Sequence, residues 1–245
     1  MSPIDGWWRA LRGPLAAFVV LAAVFATTDA DACIARWLFF DADTGRWLGA
    51  HSAWTNAVLH TGGGWLVRSV VVAVLSMWIA TFIAEPVRHW RRTAAYFLIA
   101  VLLSVGIVGV LKHFTNVDCP WDLLSFGGRF PYVPLFSDRP DALRAAHCFP
   151  AAHAGSGYAL MALYFVFRDV DRRKARAGFA ASMATGLIFG FAQQSRGAHF
   201  LSHDLWSAMI AWSVCAGVYW LGFRGSLRAT ADAPMPEERA LITMP

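Results

Sequence analysis

The sequence predicts an all-α fold, a bundle of six transmembrane helices. Three observations lead there. Of the 245 residues, 57% are hydrophobic and only 15% charged, with a mean hydropathy of +0.46; a soluble domain of this size carries more charge. Several apolar runs reach about 17–22 residues, enough to cross a hydrocarbon core roughly 30 Å thick. The basic residues also alternate. Arg88, Arg91 and Arg92 crowd the second–third connection, and Arg168, Arg172, Arg173, Lys174 and Arg176 the fourth–fifth. The long first–second connection holds only Arg36 and Arg46, and the fifth–sixth Arg196 alone. The positive-inside rule then puts both termini in the cytoplasm and turns the first–second, third–fourth and fifth–sixth connections outward. The net charge of +5 is therefore a topology signal and not a nucleic-acid one.

The first span is expected at Leu11–Thr28. Ala30-Asp31-Ala32 imitates a cleavage site, but Leu15–Ala26 reads as a span that stays in the protein. Residues 29–62 form a long connection in which Ile34–Trp47 mixes aromatic and charged residues, as an interfacial amphipathic segment does. Thr61-Gly-Gly-Gly64 breaks it. Span two is Trp65–Ala84, ended by Glu85-Pro86, and span three is Ala94–Leu111, ended by Lys112. Pro120, Pro131, Pro134, Pro140, Gly127 and Gly128 deny residues 113–150 a long helix, and the aromatics there favour an ordered lid. Spans four to six are Ala151–Phe167, Ala177–Gln194 and His203–Phe223. Residues 1–223 thus make a single six-span domain, followed by a polar, disordered tail over 224–245. Cys119 and Cys148 share one connection, so a disulfide between them is geometrically conceivable; Cys33 follows the first span, and Cys215 reads as packing.

Three polar stretches fall on the same outward mouth: Lys112–Pro120, Pro150–His153 and Arg196–Asp204. On one helix, Arg196, His199 and His203 would share a face. A Lys, an Arg and several imidazoles at a bundle mouth suit an anion, most simply phosphate. If span four is a helix starting near Ala151, its first amides favour a dianion, and small Ala151 and Ala152 let the backbone approach it. Histidines there can act as nucleophile and general acid. His60, His113 and His147 read as ordinary hydrogen-bonding loop residues. Asp118 and Asp122 read as turn caps or as partners of Lys112 or Arg129, and Gln193 and Gln194 as interhelical hydrogen bonds.

These stretches also resemble a known family. Lys112-His-Phe-Thr-Asn-Val-Asp-Cys119-Pro120, Pro150-Ala-Ala-His153 and Ser195-Arg196-Gly-Ala-His199-Phe-Leu-Ser-His203-Asp204 are similar, in order and position, to three motifs of the type 2 phosphatidic acid phosphatase superfamily. Those motifs are K-x6-R-P, P-S-G-H and S-R-x5-H-x3-D, and the fold is shared with vanadium haloperoxidases. The resemblance covers roughly residues 60–222. Cys119 stands at the first motif's Arg, with Arg129 a candidate substitute, and Ala151 at the second motif's Ser. The third motif is out of register. Matching Gly-x-His-x-x-Ser makes His199 the nucleophile and puts His203 at the Asp position; the other register makes His203 the nucleophile, with Asp204 adjacent and poorly placed to hold it.

The resemblance implies a metal-independent enzyme without cofactors and with an outward-facing active site. Its substrate would be a membrane lipid phosphate or isoprenoid phosphate, hydrolysed through a phosphohistidine. Lys112, Arg196 and the amides near Ala151 and Ala152 would hold the phosphoryl group. His199 would attack, His203 or Asp204 would fix its tautomer, and His153 would protonate the leaving group. Family habit and loop charge suggest a bacterial inner membrane, with the site facing the periplasm. The alternatives are a lipid phosphotransferase, a divalent-metal site in which His199 and His203 join His147 or His153, and a non-catalytic lipid-phosphate-binding or transport protein.

Overall fold

The structure, a computed structural model, describes residues 2–227. The chain is mostly helical, and five helical stretches are long and apolar enough to cross a membrane: Pro3–Thr27, Trp54–Ala80, Glu85–Asp122, Arg172–Ser195 and Leu201–Phe223. They contain α1 (Pro3–Thr27), α3 (Gly63–Ala80), α4 (Arg91–Thr115), α7 (Arg172–Ser195) and α8 (Leu201–Val218, continued by a π-helical turn over Tyr219–Phe223). Between α1 and α3 lie a short helix α2 (Ala30–Leu38) and a two-stranded hairpin, β1 (Phe40–Asp41) and β2 (Arg46–Trp47). The expected tail begins at Arg224; its residues 228–245 lie outside the described part.

Two expectations change. The fourth expected span is not one helix. It divides into α5 (Ala152–Ala159) and α6 (Ala162–Phe167), joined by tight three-residue turns from Leu160 N–H to Gly157 O and from Met161 N–H to Tyr158 O. The glycine run at 62–64 does not break the chain either. A π-helical segment, Trp54–Gly62, runs straight into α3. Glycine weakens an isolated helix, but in a bundle a small residue lets a neighbour approach closely. A Cβ on Gly63 would overlap the Phe189 ring of α7.

The core lies among α4 to α8, where Tyr96, Val101, Tyr158, Met161, Phe165, Cys215 and Tyr219 are buried together. Lipid tails are as apolar as leucine, so helices in a membrane associate through close packing more than through the hydrophobic effect. The α5–α7 contact shows this: a Cβ on Gly157 would lie 2.8 Å from Gly186 Cα. By contrast α1 and α3 are covered by the rest of the chain over only a small part of their length.

The amphipathic segment Ile34–Trp47 resolves into α2 and the hairpin. Asp41 closes the hairpin turn by accepting from the amides of Asp43 and Thr44 and from the Thr44 hydroxyl. Ala35, Phe39 and Trp47 then pack with Leu123 and Phe126 of the third–fourth connection and with Phe200 before α8, forming a second apolar cluster that caps one end of the bundle.

Candidate functional site

The third–fourth connection is built around the end of α4. Asn116 terminates that helix in the left-handed region at φ 54°. Its side-chain oxygen accepts from Ala146 N–H at 2.8 Å, folding the returning chain back alongside. Cys148 N–H donates to Val117 O at 3.0 Å, and Cys119 and Cys148 form a disulfide with Cα atoms 5.1 Å apart. Next to it Asp118 takes a bidentate ion pair from Arg139, at 2.7 and 3.0 Å. Asp122 pairs with Arg144. Both carboxylates therefore serve arginines of their own loop rather than Lys112 or Arg129.

Direct hydrogen bonds tie the three polar stretches together. Trp121 N–H, just past the first stretch, donates to Gly197 O of the third at 2.9 Å. Ala151 N–H donates to His203 O at 3.3 Å, and the Ser207 hydroxyl donates to Ala151 O and to His203 O at 2.9 and 3.0 Å. The third stretch is not one helix face, as expected from its spacing. Arg196 caps α7, Gly197 turns the chain at φ 76°, and α8 begins at Leu201. Only glycine fits that turn: the conformation is left-handed, and the Trp47 indole occupies the place of a Cβ.

His199 and His203 are nearly fully buried, 7% and 3% exposed. Their Nδ1 atoms are 3.3 Å apart, and His203 Nδ1 lies 3.0 Å from Cys148 O. A carbonyl only accepts, so the imidazole nitrogen facing it carries a proton. His203 therefore donates from Nδ1 to the Cys148 carbonyl, which also lies within reach of the His199 ring. Burial, with help from His203 and Lys112, holds His199 well below the ordinary histidine range. The neutral form of its imidazole is thereby favoured.

The other expected residues divide. Lys112 is half-buried in the last turn of α4; its carbonyl lies 2.9 Å from His147 Nδ1, and its ammonium has no partner among the described residues. His153, in the first turn of α5, is half-buried, stacked on Phe189, with Nε2 donating to Leu59 O at 3.1 Å. Arg196 donates to Gln193 Oε1 at 3.1 Å. Ala152 opens α5, whose first turn carries no side-chain cap. Two expectations need correction. The Ala151 amide is not open to a ligand, because it is spent on His203 O. Asp204 does not hold a histidine. It is 2% exposed; Oδ2 accepts from Gln194 at 2.6 Å and Oδ1 has no partner among the described residues. Arg129 is exposed, and among the described residues its side chain has no hydrogen bond or ion pair.

Sequence reasoning missed several participants. Gln193 is one, and a count could have found it: stepping the R-x5-H gap back from His199 lands on Gln193, now bonded to Arg196. His60 and the Leu59 carbonyl are others, brought in by the π-helical segment with no signal in their own surroundings. Among the described residues no three His, Cys, Asp or Glu side chains gather as metal ligands.

A family model described as the PAP2 superfamily matches residues 93–226, a stretch that holds all three polar segments. Searches of curated proteins and of solved structures gave no match.

Proposed function

Because the chain belongs to the PAP2 superfamily, whose activity is of the phosphatase type on phosphate esters, we propose that it is a membrane phosphatase that hydrolyses a lipid or isoprenoid phosphate through a phosphohistidine. The observation that carries this reading is the buried His199–His203 pair around the Cys148 carbonyl, joined by hydrogen bonds to the stretches that bear Lys112 and His153. In the reactive tautomer His199 carries its proton on Nδ1, facing Cys148 O, while His203 carries its own on Nε2 instead, so that His199 Nε2 is bare. His199 Nε2 attacks phosphorus, and the bond to the leaving oxygen breaks. As the ring gains charge, its Nδ1–H stays held, the task a carboxylate would otherwise do. Lys112, Arg196 and the first-turn amides of α5 face the charge on the phosphoryl oxygens. His153 keeps its Nε2–H on Leu59 O; its Nδ1 takes the proton carried in by the phosphate monoester and passes it to the leaving oxygen. Water then attacks the phosphohistidine, returns a proton to His153 and releases phosphate.

A cavity of about 510 Å³ supports an amphiphilic substrate. It reaches the site at His203, and its lining mixes Asp29, Asp31 and Ser202 with Phe25, Phe136 and Trp206. Such a mixed lining suits the body of an amphiphile beside the histidine pair. Loop charge supports a site on the outer face, in a bacterial inner membrane facing the periplasm, with both termini cytoplasmic.

The test is phosphate release from a panel of lipid phosphates by purified protein with excess chelator. Release that survives chelator, vanishes in His199→Ala and falls partially in His203→Ala supports the mechanism. Abolition by His203→Ala with activity left in His199→Ala reverses the two histidines. Loss on chelation sinks the metal-independent reading. Release only when a hydroxylated acceptor lipid is added makes the protein a phosphotransferase.

A further inference from the structure

His60 belongs to no motif and precedes a glycine run, yet the fold brings it to the site. It sits on the π-helical segment Trp54–Gly62 with its ring centroid 4.7 Å from that of His153. Its neighbour Leu59 accepts the His153 Nε2–H. π-Helical turns are rare, and they occur disproportionately at functional sites.

The proton on His60 can be located by elimination. A guanidinium only donates, so the Gln193 atom 3.1 Å from Arg196 Nη1 is its oxygen. Gln193 therefore turns its NH2 group toward His60, and it meets His60 Nδ1. That nitrogen must accept, so the His60 proton resides on Nε2. Among the described residues Nε2 has no hydrogen-bond partner, and the residue is exposed. The outcome is a neutral imidazole that presents one N–H donor beside Arg196 and His153. Such a ring is a poor proton source, since giving up that proton would leave an imidazolate. It is well suited to donate a hydrogen bond to an anion and keep the proton. The first stretch has Cys119 in place of an arginine, and the third has Gln193 at the spacing of another; both replacements remove donors from the phosphate side.

We infer that His60 is a further phosphate-binding residue: its Nε2–H donates to a phosphoryl oxygen, while Gln193, oriented by Arg196, holds the tautomer. The inference rests on the phosphate-ester reading above and adds a donor from outside the three polar stretches. The role differs from that of His153, whose proton moves.

The experiment uses the full chain in detergent micelles. It measures the affinity for inorganic phosphate, and kcat/KM for p-nitrophenyl phosphate and for lysophosphatidic acid. A hydrogen bond to a charged group contributes enough that His60→Ala should weaken phosphate binding about 10- to 100-fold. It should lower kcat/KM for both esters by the same factor, because the phosphoryl group is common to them. His60→Asn, which keeps an N–H donor, should recover part of the loss. Should His60→Ala fail to fold, Gln193→Leu frees the tautomer without touching the ring and should show a smaller loss of the same pattern. Unchanged phosphate affinity would overturn the inference. So would a loss confined to lysophosphatidic acid, whose poor leaving group needs a proton, because it would make His60 a general acid. Wild-type protein that binds phosphate yet hydrolyses neither ester would sink the phosphatase reading alone, and the phosphate affinities would still decide His60.

Discussion

Arg139→Met tests what holds the loop that delivers the Cys148 carbonyl. The Arg139 and Asp118 side chains are 7% and 2% exposed. Beyond its bidentate pair with Asp118, the guanidinium donates to Asn116 O at 3.0 Å and to Arg144 O at 2.9 Å. Methionine fills the space but leaves the Asp118 carboxylate buried without its cation. Stranding one member of a buried pair costs about 3–5 kcal/mol, whereas replacing both members with apolar residues is often neutral or stabilising. Arg139→Met should therefore destabilise the protein by roughly that amount, and Arg139→Met/Asp118→Leu should recover most of the loss. Unfolding free energy in detergent, with the disulfide kept oxidised, reads both numbers. Phosphate release should follow the same order, because Asp118 adjoins Cys119, whose disulfide partner places its carbonyl 3.0 Å from His203 Nδ1. A single variant that costs under about 1 kcal/mol, or a double variant whose cost is the sum of two singles, would refute the argument.

Other outcomes follow from the same geometry. Cys119→Ser/Cys148→Ser removes a cross-link spanning 29 residues and should cost about 3–4 kcal/mol on the chain-entropy model; phosphate release should drop in parallel, and reductant should reproduce the effect in wild type but not in the variant. Gly197→Ala forces a left-handed residue and a clash with Trp47, so it should cost about 1–3 kcal/mol; adding Trp47→Ala should relieve the clash but not the backbone strain, as thermal unfolding would show. His199 is held below its ordinary range, so as pH falls below about 6.5 the unfolded chain takes up a proton that the folded chain refuses. Its contribution to stability is present above that pH and is lost on acidification toward the folded value. His199→Phe should flatten this acid limb in a pH series of unfolding measurements.

The helical, membrane-type fold was legible because apolar run length and arginine placement are one-dimensional signals. The three polar stretches could be found for the same reason, since each is short and ends a span. What escaped depends on contacts between distant parts of the chain. His60 and Gln193 are 133 residues apart in sequence, and no local pattern marks a π-helical turn. The glycine run at 62–64 reads as a break because local propensity knows nothing of Phe189 waiting to fill the gap. The division of the fourth span arises in the crowded centre of the bundle, where close packing matters more than hydropathy. Motif position points Asp204 at a histidine, yet its orientation is set by Gln194 at the end of the preceding helix. Residue type draws attention to the Cys148 sulfur, while the structure uses its carbonyl as well, and a backbone atom leaves no trace in residue type.

The near-contact of Gly157 with Gly186 has a mechanical consequence. With backbones this close, α5 cannot slide or roll against α7 without collision, so the mount that carries His153 is stiff. The outlying α1, sparsely covered by the rest of the chain, is the part free to tilt when a bilayer is thicker or thinner than the apolar belt. Tilting is the usual low-cost response to such mismatch. Adjustment to membranes of different thickness would then be confined to the periphery, and the spacing of the groups at the bundle mouth would stay constant while the outer helix leans.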